Sequence, residues 1–445
     1  MDQNLIPAAK GTARRHRRIA IAVLILNALS AALFINTVRS PVYDDSRNIL
    51  DVHRYAVEGV NLASIREHIN PTGPGSFIWM AAGVHLFGND ELRGARAAAL
   101  LSWLLFGGGI VVVARYSDSP DLLYAALLAT LLFPHTMTAS ATVMTEGPAL
   151  LFGVLGAIVW VACVSLARMT LRATGFVLLG GASMGLAVIC RQYYVALLPA
   201  AAIVAVWRLR TRTEENLRPW TLKVMASLCI AATPALLLVL AWKGLASPGM
   251  ASGAFFKHWR ASVGLNLSRP LISIFEIAFY LIPLTFPAIF RLRSRLRWPT
   301  LICAMALGAT AGYFRSSLLP PGPLRSLDKA ARFLPHGEFA VVAILTAVMV
   351  YNAAAFLFVL WEERDCVIAS PLAVFSMFAI LAFVLEQLGI GGNLPFYDRY
   401  VLQIIPFLAI LAFRVLPDLG AARLSALGLM GIASQVLLWR HAFAS

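Results

Sequence analysis

The chain has 445 residues, 59% of them hydrophobic and only 13% charged, with a formal net charge of +15. About a quarter of the residues in an ordinary soluble domain are charged, so this composition excludes a water-soluble globular protein. The surplus of Arg and Lys reads as anchoring of membrane loops rather than as a nucleic-acid surface, and no nucleic-acid partner is expected.

The basic N-terminus (1–18) holds "RRHRR" (14–18) and precedes the uncharged run "IAIAVLILNALSAALFINTV" (19–38). Uncharged runs of about 18 or more residues read as membrane-spanning helices. This run is long enough to span, and no small-x-small cleavage site follows it, so it reads as a retained first helix. "RRHRR", "WRLRTRTEENLR" (207–218) and "RLRSRLR" (291–297) are placed in the cytoplasm by the positive-inside rule. That orientation predicts an all-α polytopic membrane protein of about 13 spans. They fall at 19–38, 97–114, 122–137, 148–167, 173–190, 193–207, 220–242, 271–290, 298–314, 339–360, 367–386, 400–416 and 421–439. A β-barrel would show short alternating strands instead. The apolar segment 74–88 is too short to span and reads as interfacial.

The whole chain, 1–445, reads as one integral membrane domain. It comprises a first outer loop (39–96), the remainder of a transmembrane module (97–242) and a C-terminal module (243–445) with outer loops 243–270 and 315–338. These two loops carry Lys257, Arg260, Arg269, Arg315, Arg325, Lys329 and Arg332, which suit either an anionic head group or plain solvation. Trp259 and Tyr397 read equally as interface anchors or ligand platforms. The five cysteines form no CxxC or Cys/His spacing, so neither disulfides nor zinc is indicated.

The first outer loop, "YDDSRNILDVHRYAVEG" (43–59), places Asp44 and Asp45 side by side in a chain with only 22 acidic residues. On a helix, adjacent side chains point about 100° apart, so one of the two is expected to enter a pocket. The alternative is that either acid merely caps the helix. Glu146, in "TEGP" (145–148), reads on its own as an acid in the first turn of a helix. Arg191, in "VICRQYYV", lies between two apolar runs; it either snorkels or meets a phosphate or a distant carboxylate. Within the expected spans almost nothing is ionisable, Glu276 being the main exception, which weakens an ion-coupled transporter reading.

"YDDSRNILDVHRYAVEG" followed by "INPTGPGSFI" (69–78) resembles the first luminal loop of the dolichyl-phosphate-glucose α-1,2-glucosyltransferases, within the wider GT-C superfamily. "LFP" (132–134) with "TEGP", "RQYY" (191–194) and, more loosely, "NLPFYDRYV" (393–401) continue the match in order. Asp45 stands where that family has Glu, and "NPTGPG" alters its Thr–Thr stretch, so the match bears on the superfamily more than on the glucosyl specificity. The resemblance implies a GT-C fold and an enzyme that moves a hexose, glucose favoured, from a polyprenyl- or dolichyl-phosphate sugar to a hydroxyl of a glycan, lipid or protein acceptor. It implies Asp44 as general base, Asp45 as backup or orienting residue, and Glu146 as a second acid. Arg191, Arg399 and Arg54 are implied contacts to the donor phosphate. The acids admit a carboxylate-bound divalent metal without demanding one, and no other cofactor is expected. The active site is expected on the outer face of a bacterial plasma membrane, or on the luminal face of the endoplasmic reticulum. A transporter or flippase of lipid-linked sugar is the alternative reading.

Overall fold

The computed structural model describes residues 5–88, 90–166, 169–210, 217–244, 247–249, 268–313, 337–388, 398–417 and 421–444. The expected outer loops 243–270 and 315–338, with Lys257, Trp259, Arg260, Arg315, Arg325, Lys329 and Arg332, lie almost wholly outside these residues, as does Tyr397. Among the described residues every regular element is a helix.

Among the described residues seven helices are long and apolar enough to cross a membrane: Ala13–Thr37, Glu91–Arg115, Glu146–Val164, Leu171–Cys190, Gln192–Leu209, Leu217–Trp242 and Phe339–Glu362. Each falls on an expected span. Large aliphatic side chains on their outer faces stand free of the rest of the protein, with Leu26 65% and Leu240 71% exposed. Such faces are compatible with hydrocarbon and not with water. The chain is an integral membrane protein.

The expected spans at 271–290, 298–314 and 421–439 are helical as Ser268–Thr285, Ser294–Tyr313 and Ala421–Ala444, outside the seven. Four further apolar helices are shorter: Gly75–Phe87, Pro120–Leu131, Pro371–Glu386 and Ile405–Val415. Pro120–Leu131 and Ile405–Val415 pack against one another and are buried along almost their whole length. A helix that is apolar all round belongs in a core, and these two form the centre of the bundle. The N-terminal helix is fastened to the first of them by Asn27, which donates to the Leu131 carbonyl at 3.0 Å, and by His16 against Asp121 at 2.8 Å.

Because these central helices are short, irregular backbone follows one and precedes the other inside the bundle. After Leu131 come a short helix, Thr136–Ala141, and the turn that leads to Glu146. Before Ile405 comes the 3₁₀ turn Asp398–Gln403. Non-helical backbone at such depth is tolerated only where protein or a cavity satisfies it. Both segments face the acidic first loop.

Candidate active site

The chain enters the first-loop helix, Asp45–Val57, through Tyr43, whose φ of 53° lies in the left-handed region. A non-glycine residue there costs about 1–3 kcal/mol and persists only where its surroundings hold it. Asp45 supplies that hold. Its carboxylate, with no exposed surface, accepts from the Val42 N–H at 3.1 Å, the Val143 N–H at 2.5 Å, and Arg96 through Nε at 3.1 Å and Nη2 at 2.5 Å. Asn48, one turn on, donates to the Val143 carbonyl at 2.5 Å. Asp45 thus pins the loop helix to the Val143 segment just before Glu146.

Asp44 occupies the N-cap position but makes no side-chain capping bond. Its side chain is 42% exposed and meets Arg399 Nη1 at 2.7 Å. The capping role is therefore absent, and the two adjacent acids have separate environments.

Glu146 opens the helix Glu146–Leu150 and is buried. Its Oε1 lies 2.5 Å from Arg191 Nη1 and 3.8 Å from Arg399 Nε. Arg191 ends the helix Leu171–Cys190 in extended conformation and also donates to Thr145 Oγ1 at 2.8 Å. Asp44, Glu146, Arg191 and Arg399, from four segments far apart in sequence, therefore form one ion-pair cluster. Burial by itself would lower the Arg399 pKa, but Glu146, Tyr400 and Asp44 outweigh it and hold the guanidinium firmly charged.

Two glycines make the assembly sterically feasible. A Cβ on Gly73 would overlap the Ile189 carbonyl, so only glycine lets the "NPTGPG" stretch dock on the helix end that presents Arg191. A Cβ on Gly153 would overlap the Tyr194 ring, which packs over a π-helical turn, Leu151–Leu155. Such turns often mark functional sites.

Arg54 does not join the cluster. It pairs with Asp51 at 3.2 Å, one turn earlier on the same helix, and donates to the Glu67 carbonyl. Those bonds shape the loop itself. Asp51 is likewise internal, accepting from the N–H groups of Ile69 at 3.2 Å and Asn70 at 3.1 Å with His68 at 3.3 Å.

Four residues escaped the sequence reading. Arg96, fully buried, is the partner of Asp45; it lies one residue outside an expected span and nothing in sequence links it to that acid. Arg47 lies in electrostatic reach of Asp44, Asp51, Tyr400 and Arg399, and its place three residues after Asp44 could have marked it. Tyr193 and Tyr400 lie together against Arg191, their ring centroids 5.7 and 4.9 Å from its Cζ. Arg47, Arg191 and Arg399 bring three guanidiniums to one corner of the protein, donors of the kind that suit an anion.

Among the described residues no group of three or more His, Cys, Asp or Glu surrounds a common point. Asp44 and Glu146 each face a guanidinium. A divalent cation would have to displace arginines to reach too few oxygens, so this donor set does not fit a resident metal.

No family model matches the sequence, and no curated protein does. Solved structures with a loosely similar helical path include ArnT from Cupriavidus metallidurans bound to undecaprenyl phosphate. That likeness is 17% identical, covers 95% of this chain and 78% of that one, and has a TM-score of 0.39. The oligosaccharyltransferase of Archaeoglobus fulgidus is 12% identical over 94% of this chain and 56% of its own, with a TM-score of 0.40. The protein O-mannosyltransferase Pmt1–Pmt2 complex of S. cerevisiae bound to the sugar donor is 14% identical over 50% of this chain, with a TM-score of 0.37. The chain spans only 33% of that yeast chain. Likenesses of this size carry no statement about activity.

Proposed function

We propose that the protein is a membrane glycosyltransferase of the GT-C superfamily. It moves a hexose, glucose favoured, from a polyprenyl- or dolichyl-phosphate sugar to an acceptor hydroxyl on the extracytoplasmic face of a bacterial plasma membrane. One observation carries this reading: a half-exposed carboxylate, Asp44, lies 2.7 Å from Arg399, in a cluster that also holds Arg191 and Arg47. A base and the cations for an anion thereby belong to one cluster, with the sugar to lie between the base and the departing phosphate.

The chemistry follows from that adjacency. Asp44 takes the proton of the acceptor hydroxyl, whose oxygen attacks the anomeric carbon. The new glycosidic bond forms as the bond from that carbon to the phosphate oxygen breaks, and the lipid phosphate leaves with the bonding electrons. A single displacement inverts the anomeric centre and requires the base opposite the leaving group. Charge grows on the departing phosphate, where Arg399, Arg191 and Arg47 stabilise it. A good leaving group needs no strong general acid, and none is assigned. Glu146 holds Arg191 and Arg399 in place for the phosphate, and Asp45 serves as the fixed anchor of the loop rather than as a base. Arg54 is assigned no phosphate contact. The acceptor is a glycan, a lipid or a protein hydroxyl.

The test is a reconstituted assay with a radiolabelled polyprenyl-phosphate sugar. Label appearing in a new glycosidic bond of inverted anomeric configuration supports transfer. Label that crosses the bilayer with its glycosidic bond unchanged supports a flippase and overturns this reading.

A further inference from the structure

The two arginines that contact Glu146 share a second neighbour. The Tyr400 ring centroid lies 4.9 Å from Arg191 Cζ and 5.8 Å from Arg399 Cζ. Tyr193 lies on the same side of Arg191, its centroid 5.7 Å from Cζ and 5.1 Å from the Tyr400 centroid. Tyr193 is itself fixed, since its hydroxyl accepts from Arg269 Nη2 at 3.0 Å, and Arg269 Nε donates to Gln387 at 3.1 Å.

A carboxylate and an aromatic ring hold a guanidinium in different ways. A carboxylate occupies the N–H edge and cancels the charge that an anion would need. A ring contact leaves the charge intact, and here it adds to the contacts that Glu146 and Asp44 make with the N–H groups of Arg191 and Arg399. Two guanidiniums brought together for one anion also repel each other, and Glu146 touches Arg399 only at 3.8 Å. A ring shared by both offsets that repulsion without competing for the ligand.

We propose that Tyr400 is a positioning residue that holds Arg191 and Arg399 beside one another by cation–π contact, so that their two charges are presented together to the phosphate of a lipid-phosphate ligand. This rests on the transferase reading for the identity of the ligand, but the tested property is phosphate affinity and stands apart from turnover.

The experiment measures binding of undecaprenyl phosphate to the purified full-length protein by intrinsic tryptophan fluorescence, together with donor KM and kcat. Tyr400→Leu is expected to weaken undecaprenyl phosphate binding about tenfold, the worth of one to two face contacts. It should raise donor KM by a similar factor with a smaller change in kcat. Tyr400→Phe and Tyr400→Trp, which keep a ring, should recover most of the affinity. Tyr400→Met replaces Tyr400→Leu if the latter does not survive extraction. Equal loss in Tyr400→Phe and Tyr400→Leu overturns the proposal, because the hydroxyl and not the ring face would then matter. Unchanged affinity in Tyr400→Leu overturns it as well, and so does a wild-type protein that does not bind undecaprenyl phosphate. Ring-dependent binding without sugar transfer would sink the transferase reading and leave the role of Tyr400 standing.

Discussion

Asp44 and Asp45 are adjacent in sequence and opposite in environment. The Asp44 side chain is 42% exposed against Arg399 at 2.7 Å, whereas Asp45 is fully enclosed against Arg96 at 2.5 Å. One acid is partly open to solvent and the other is enclosed by the fold.

That contrast predicts a division between stability and turnover. Asp45→Asn leaves the Arg96 charge buried without its counter-ion, and removing one partner of a buried pair costs about 3–5 kcal/mol. The thermal unfolding midpoint in detergent should fall strongly. Asp44→Asn, at a half-exposed site, should leave that midpoint close to wild type. A large fall in Asp44→Asn and none in Asp45→Asn would mean the two environments are exchanged.

Arg191 combines a carboxylate contact, a hydroxyl contact and two ring faces. Lysine carries the charge but has no planar fork. Arg191→Lys should weaken donor binding about tenfold or more, as read from donor KM. Wild-type KM in Arg191→Lys would show that only a point charge is required there.

Asp51 makes the fold of the first loop pH-sensitive. Burial alone would raise its pKa, but His68, Asn70 and the Ile69 N–H hold it below the usual value of 3.8. A depressed carboxyl pKa contributes stability that is present above the unfolded value and lost as pH falls through the folded one. The unfolding midpoint of Asp51→Asn should therefore lie below wild type at neutral pH, and the gap should close below pH 3.8. A gap that widens on acidification would contradict the assignment.

Gly73 tests the docking of the loop. A Cβ there meets the Ile189 carbonyl, which is backbone and cannot rotate aside. Gly73→Ala should cost about 1–3 kcal/mol, typical of overpacking, and reduce turnover by displacing the loop from Arg191. Gly59→Ala is the contrasting variant. The Gly59 φ of 73° makes it strained as well, but a Cβ there meets no neighbour, so its effect on turnover should be smaller.

Much of this site was legible in the sequence for physical reasons. A charged residue between two apolar runs is costly unless it has a partner, which singled out Arg191, and the scarcity of acids singled out Asp44, Asp45 and Glu146. The 100° step between helical neighbours anticipated that Asp44 and Asp45 would part company. The pairing of Asp45 with Arg96 was not legible, because a contact between residues 51 apart depends on how two helices pack. Nor were the ring faces around Arg191: Tyr193 is its near neighbour in sequence, but Tyr400 reaches it only through the fold. Arg54 stands apart from the cluster because an i,i+3 partner, Asp51, lies on its own helix. The span at 122–137 was read too long, since Pro120–Leu131 ends where buried, hydrogen-bonded non-helical backbone begins.

The central claim is that Asp44 removes the acceptor proton during transfer from a lipid-phosphate sugar. The most direct measurement is the single-turnover rate of label transfer from a radiolabelled polyprenyl-phosphate sugar, in wild type and in Asp44→Asn with matched unfolding midpoints. The expected result is a loss of about 10²–10⁴-fold, the usual contribution of a general base, with donor binding retained. A folded Asp44→Asn protein that transfers the sugar at the wild-type rate would contradict the account.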